Sequence, residues 1–434
     1  MNRAQVVAHF ARARWFGRRR QRNRARLEQW QQRQVTKHLE FLRTHSPYFA
    51  DLLGLDQATL ADLPQMDKTV MMANFNRLNT AGLDRDRALE IALAAERDRD
   101  FTPDYQGFAV GLSSGTTGHR GLFVTGAAEQ AQWAGTVLAK TLPRRLLGHR
   151  IALFLRANNA LYERVGSRAV SFQYFDIYAD AAQNSAKLLE YQPTILVAPP
   201  SVLREIASQT DPAAQLPALQ KIYSVAEVLD RSDETFLKAA FGTELIHQIY
   251  QCTEGLLGST CPAGTLHLHE DIALFEREWL DERRFVPVIT DFRRRTQPIV
   301  RYRLNDVLVT RAEPCPCGSA MIALERIEGR EDDTLYFSAP DGAPVRVFAD
   351  MITRAMVYSE GLHQYRVVQT APHKLLVELE YAPGASAETA RASVRAELRR
   401  LAAGQGFVLP EIEFGQFRHD FGRKLRRVER RIEE

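Results

Sequence analysis

Residues 111–121 read Gly-Leu-Ser-Ser-Gly-Thr-Thr-Gly-His-Arg-Gly. Glycine lets a backbone turn where a β-carbon would clash. Successive N–H groups around Gly115 and Gly118 can then converge on an anion, with the hydroxyls of Ser113, Ser114, Thr116 and Thr117 as further donors. That is chemistry for holding phosphate. No Gly-Lys-Ser/Thr closes the stretch, so it is not a Walker A loop; a polar surface loop has the same composition. A second polar stretch, Tyr250-Gln-Cys-Thr-Glu-Gly255, follows an apolar run. Its Thr253 and Glu254 could hold a phosphate and its magnesium. A third group is Cys261, His267, Cys315 and Cys317. These are natural zinc ligands, and four of them suit a closed structural site. Reduced buried thiols would account for the cysteines equally well.

The elements that must position these residues follow from periodicity. From about residue 150, short apolar runs alternate with helical patterns. Strands are expected over 150–156, 170–177, 194–198, 222–226 and 244–250, with helices over 181–190, 202–209 and 232–241. Such alternation predicts an α/β domain with a largely parallel sheet, and ligands in such sheets sit beyond the C-terminal strand ends. Residues 327–333 are charged and contain Gly329, which suits a linker. Beyond them, strands over 374–381 and 411–417 and a helix over 387–402 predict a small α+β domain with a basic tail. The expected organisation is a basic helical segment 1–45, a large domain 46–328, a hinge 329–333 and a small domain 334–434.

A chain of 434 residues exceeds one core. The net charge of +4 is unevenly spread, with +10 in the first fifty residues and −6 in the rest. Residues 3–45 lack proline and read as helix, with a stripe from Val6, Phe10 and Trp15 through Leu27, Trp30, Val35, Leu39 and Leu42. Their arginines form either a solvated face or a docking surface for an acidic partner or a membrane surface. No aromatic interleaving supports nucleic acid. No apolar run is long enough for a membrane span, no secretory signal is evident, and four cysteines favour a reducing compartment, read as the cytoplasm.

In order, 113–121, 250–254, 298–306, 329–333 and the tail Lys424 resemble the adenylate-forming (AMP-binding) superfamily over roughly residues 40–434. The branch most similar contains phenylacetate–CoA ligase and synthetases that adenylylate a deazaflavin cofactor. The resemblance implies a large AMP-binding domain of layered, parallel-rich sheets and a small mobile C-terminal domain. Ser113, Ser114, Gly115, Thr116, Thr117 and Gly118 would wrap the ATP phosphates, and Tyr250 would pack on adenine. Thr253 would bond the α-phosphate, Glu254 would bind magnesium, and Asp306 would take both ribose hydroxyls with Arg330 assisting. Lys424 would stabilise charge in the transition state, and Asp332 would be the hinge. Some relatives in this branch carry Cys…Gly-x-His…Cys-x-Cys in the places of the four zinc candidates. Their His lies three residues before a Glu, which selects His267 over His269; Cys252 stays outside the set.

The sequence departs from the family at His119-Arg120, Gln251 and Leu304-Asn305. Residues 335–342 match poorly to the loop associated with the pantetheine tunnel. The implied activity is ATP-dependent activation of a small aryl or acyl carboxylic acid, then transfer to a thiol of a carrier protein or coenzyme A. The poor tunnel match and the cationic N-terminus favour the acidic carrier protein. Two alternatives stand: an adenylyltransferase that stops at the AMP adduct, and a non-catalytic, basic, zinc-stabilised binding protein. Tyr162, Phe172, Tyr174 and Phe175 could line an aryl pocket or simply pack a core.

Overall fold

The computed structural model describes residues 3–16, 21–54, 59–98, 103–112, 121–155, 170–419 and 425–432. The chain divides into two compact units. The first comprises Met1–Ala226, Leu237–Leu304 and Thr310–Arg326, and the second Glu227–Phe236, Asn305–Val309 and Ile327–Glu434.

In the first unit five parallel strands lie in the order Val170–Asp176, His149–Leu155, Ile195–Ala198, Lys221–Ser224 and His247–Cys252. Helices Ala181–Tyr191 and Pro200–Gln209 carry the chain between them. Asp180 caps the first by accepting from the N–H of Gln183, and Pro200 opens the second, where its missing N–H costs nothing. The parallel pattern stops at Cys252. The chain turns at Thr253-Glu254 and returns antiparallel as Gly255–Thr260, followed by Leu266–Leu268 and the start of Ala323–Arg330. Ala273–Trp279, Arg284–Asp291 and Ile299–Arg303 are also antiparallel. The sheet is therefore mixed, where the sequence suggested mostly parallel strands. Connections here are short, and parallel neighbours need crossovers of a dozen residues or more.

The helix expected over 3–45 is interrupted. Arg3–Ala11 is α-helical, Arg12–Phe16 is a π-helical turn, and Arg24–His45 is a separate helix capped by Asn23. Ser46 ends that helix and caps the next, Pro47–Leu53. Leu27, Val35, Leu39 and Leu42 are buried as the stripe requires, but Trp15 is 51% exposed. The first helix lies directly on helix Ala127–Thr141. A β-carbon at Gly135 would stand 2.5 Å from the carbonyl of Val6, so only glycine permits this approach. Arg14 donates to the carbonyls of Ala139, Leu142 and Pro143 at 2.8–3.0 Å, satisfying that helix's free C-terminal groups.

The second unit has a four-stranded sheet in the order Glu411–Gln416, Lys374–Tyr381, Leu362–Ala371 and Val428–Arg430. Helices Ala349–Val357 and Ala387–Gln405 and a hairpin Leu335–Ser338/Pro344–Val347 complete it. Its core joins Leu335, Ile352, Val367, Val377, Val394 and Leu398. The stretch read as a linker is the end of strand Ala323–Arg330 and a 3₁₀ turn Glu331–Asp333. Strand alternation persists through the charges, with Leu324 and Glu328 buried and Glu325 exposed. Among the described residues no helix is long and apolar enough to cross a membrane.

Candidate nucleotide and metal sites

Tyr250 is buried near the end of His247–Cys252, and a register shift follows it before the two-residue turn Thr253-Glu254. Such bulges re-aim the side chains beside them. The turn is braced from two sides. Arg294, itself buried, donates to the carbonyl of Thr253 at 3.1 Å. The buried Tyr302 phenol donates to the Glu254 carboxylate. Burial, and then that carboxylate, push the Tyr302 ionisation far above the ordinary tyrosine range, so it remains a donor at neutral pH. Behind the turn, a β-carbon on Gly255 would meet Asp291 Oδ2 at 3.1 Å. Asp291 is fully enclosed; burial pushes its carboxyl up to about 6, against the N–H of Arg293 and the nearby Arg294 and Arg293 guanidinium groups.

Ser113, Ser114, Gly115, Thr116, Thr117 and Gly118 lie outside the described residues, as do Lys424 and Tyr162. The strands on either side of residues 113–120 are described: Phe108–Leu112 pairs with Leu122–Thr125, Leu112 opposite Leu122. Gly111 has a packing reason of its own. A β-carbon there would stand 2.4 Å from the Phe123 ring. Phe175 stacks on Phe154 inside the core, Phe172 packs against a separate cluster that includes Ile151, Val170 and Tyr223, and Tyr174 donates to the carbonyl of Leu155.

In the second unit Asp306 opens the strand Asp306–Thr310, and Arg330 ends Ala323–Arg330. Asp332 accepts from Asn305 Nδ2 at 2.5 Å, and the N–H of Glu331 donates to the Asn305 carbonyl at 2.8 Å. The acid buried at this turn is Asp333, paired with Arg426; burial pushes its carboxyl up to about 6 although Arg426 pulls the other way. Arg427 pairs with Asp230 at 2.7 Å and Asp233 at 2.8 Å. Sequence reasoning missed Asp291, Arg294, Tyr302, Asp333, Arg426 and Arg427. Tyr302, Asp333 and the two C-terminal arginines lie within the stretches 298–306, 329–333 and 423–427, but residue type and spacing did not say which of them pair.

Cys261, His267, Cys315 and Cys317 come together in the first unit, their ligand atoms all within 4.8 Å of one another. Cys261 Sγ and Cys315 Sγ stand 3.7 Å apart, and Cys317 Sγ is 3.4 Å from His267 Nε2. A tetrahedral ion with bonds of about 2.3 Å to sulfur and 2.0–2.1 Å to nitrogen spaces its ligands by roughly these distances. His267 Nδ1 faces the carbonyl of Met321 at 3.2 Å, which fixes the ring and turns Nε2 to the thiols. His269 is excluded because both its ring nitrogens are engaged, by Ser259 Oγ and the carbonyl of Leu256. The four residues could hold a metal ion.

The AMP-binding enzyme family matches residues 153–276, which include the strand-and-helix alternation and the braced turn. The solved structure of 2-hydroxyisobutyryl-CoA ligase in the postadenylation state with 2-HIB-AMP aligns with TM-score 0.71 and 17% identity, over 95% of this chain and 91% of that one. Anthranilate CoA ligase AuaEII with anthranoyl-AMP aligns at TM-score 0.54 and 14% identity, over 74% and 67%. ATP-bound MatB from Rhodopseudomonas palustris aligns at 0.51 and 14%, over 71% and 64%. No curated protein matches the chain. The chain thus shares the fold of these acyl-adenylate-forming ligases, and its residues 153–276 match the AMP-binding enzyme family.

Proposed function

We propose that this enzyme activates a small carboxylic acid with ATP as an acyl-adenylate and transfers the acyl group to a thiol, breaking the acyl–phosphate bond and releasing AMP. The observation that carries the reading is the Thr253-Glu254 turn, braced by Arg294 and Tyr302 within the family match. The acid's carboxylate attacks the α-phosphate, the bond to the β-phosphate oxygen breaks, and pyrophosphate leaves. Thr253 bonds the α-phosphate and Glu254 holds magnesium. Ser113, Ser114, Gly115, Thr116, Thr117 and Gly118 take the outer phosphates, Tyr250 packs on adenine, and Asp306 with Arg330 takes the ribose. Lys424 stabilises the charge that develops at the α-phosphate, and Asp332 is the hinge between half-reactions. The cysteine–histidine cluster is a structural zinc site, and it supports the phenylacetate–CoA ligase branch.

Solved relatives include 2-hydroxyisobutyryl-CoA ligase with 2-HIB-AMP and coenzyme A, which favours coenzyme A as the thiol. The case for a carrier protein loses two of its arginines. Arg14 caps a helix, and Arg24 pairs with Glu270 at 2.7 Å. The test is carboxylate-dependent ATP–pyrophosphate exchange over a panel of aryl and fatty acids, followed by thioester formation with each acceptor at low and high salt. Exchange with no thioester from any thiol favours an adenylyltransferase. No exchange with any acid removes the activity.

A further inference from the structure

A cavity of about 330 Å³ opens in the first unit between the N-terminal helices, helix Ala127–Thr141 and the segment 292–295. It is at the lower end of the roughly 300–1,000 Å³ typical of small-molecule pockets. Arg12, Arg293 and Arg295 supply cationic groups, His9 an imidazole that can donate, and Trp30 and Phe292, in edge contact at 5.3 Å, supply an aromatic wall.

The two acids that also line it are already engaged. Glu129 accepts from the N–H groups of Gly126, Arg295 and Thr296, and Asp271 accepts from Lys140 and Gln21. Arg293, half-buried, donates to neutral oxygens, Thr136 Oγ1 at 3.0 Å and the Asp271 carbonyl at 2.9 Å, with the Asp271 and Asp291 carboxylates as its nearest opposite charges. Among the described residues, the side chains of His9 and Arg12 have no hydrogen-bond or ion-pair partner. Burial, then Arg293 and Arg12, hold His9 below its usual range, a crowding of positive charge that an anion would relieve.

The wall is also built rather than incidental. Arg12 and Ala13 enter the cavity from a π-helical turn, a rare conformation that is frequent at functional sites. That turn is fastened by Arg14 to the end of the neighbouring helix, and the helix before it rests on Gly135.

We propose that this cavity is a second ligand site, taking a small organic phosphate whose oxyanion sits among His9, Arg12 and Arg293 and whose flat apolar body lies against Trp30 and Phe292. It does not rest on the proposed ligase activity. Guanidinium forks match phosphate oxygens, and the aromatic wall leaves room for a ring.

Phenyl phosphate is the probe. It is expected to raise the melting temperature in a concentration-dependent way and to change tryptophan fluorescence, a change that Trp30→Phe removes. His9→Ala and Arg12→Ser are each expected to weaken binding about tenfold while leaving the thermal response to ATP intact. Excess AMP should leave the phenyl phosphate affinity unchanged, which separates this cavity from the proposed nucleotide site. Inorganic phosphate should bind more weakly, and benzoate more weakly still. Four outcomes would overturn the proposal: no binding at millimolar phenyl phosphate, affinity indifferent to both substitutions, displacement by AMP, or tighter binding of benzoate.

Discussion

The metal candidate and the proposed nucleotide turn sit at opposite ends of one strand. Thr253-Glu254 precedes Gly255–Thr260, and Cys261 follows it. They are built in opposite ways. At the cysteine end every ligand comes from a short turn or the adjoining strand, and the four donors face one another within 4.8 Å. Such a centre is complete once an ion enters, and its contribution is to folding. The other end holds one hydroxyl and one carboxylate, braced from behind by Arg294 and Tyr302. The remaining phosphate-handling residues of the proposed reaction come from distant parts of the sequence. A closed centre should show its loss as instability, and an open one as lost rate.

Two substitutions test that contrast most strongly. Lys424→Ala is expected to lower ATP–pyrophosphate exchange by about 10³-fold, the scale of losing a charge-stabilising group, with an unchanged melting temperature. A supplied acyl-adenylate should still react with thiol. Cys315→Ser is expected to do the reverse. Metal analysis should show about one zinc per chain in the parent protein and little in the variant. Stability should drop by roughly 3 kcal/mol or more, while the folded fraction turns over normally. A zinc-free parent prepared without chelator, or a Lys424→Ala enzyme at full rate, would break the comparison.

A smaller effect belongs to the acid behind the turn. Asp291 has its carboxyl pushed up to about 6 by burial. A carboxyl with a folded pKa above its unfolded value, near 4, binds more protons in the native state between those values. Its contribution to stability is therefore fully present below about pH 4 and is lost as pH rises through 6. Asp291→Asn keeps the acceptor for Arg293 and removes the titration. The variant should gain on the parent between pH 4 and pH 7 by up to about 3 kcal/mol, read by urea unfolding at each pH. A difference that is flat with pH would mean that Asp291 stays ionised throughout.

How much of this was legible from sequence depended on the range over which each signal acts. Strand Lys374–Tyr381 and helix Ala181–Tyr191 were visible because period and caps are local. The cysteines could be grouped because their residue types are rare and chemically specific. The antiparallel half of the sheet was not visible: period-two patterning does not tell a strand which way its neighbour runs. Asp291, Arg294 and Tyr302 were missed because bracing a turn depends on contacts between residues about forty positions apart. Gly111 and Arg14 looked like parts of a phosphate loop and a cationic face. The Phe123 ring and the carbonyls of Ala139, Leu142 and Pro143 account for them instead.

Arg301 extends that lesson, since it lies in the motif 298–306 that resembles a nucleotide element. Its φ is +45°, a left-handed conformation that costs an ordinary residue about 1–2 kcal/mol. Tertiary contacts hold it there. Its guanidinium grips Glu276 with two nitrogens at 2.9 and 3.1 Å and donates to the carbonyls of Ala61 and Leu63. Its backbone receives the N–H of Met66 and donates to Thr290 Oγ1. Arg301 thus ties the segment before Lys68 to the antiparallel strands, a structural role like that proposed for the cysteines. Arg301→Ala is expected to lower stability by about 2 kcal/mol, with exchange at saturating ATP within about twofold of the parent. Arg301→Lys should recover little, because a lysine cannot make the two-pronged contact. Chemical unfolding and exchange on the same preparations read both outcomes. A tenfold loss of exchange with unchanged stability would move Arg301 to the nucleotide side of the comparison.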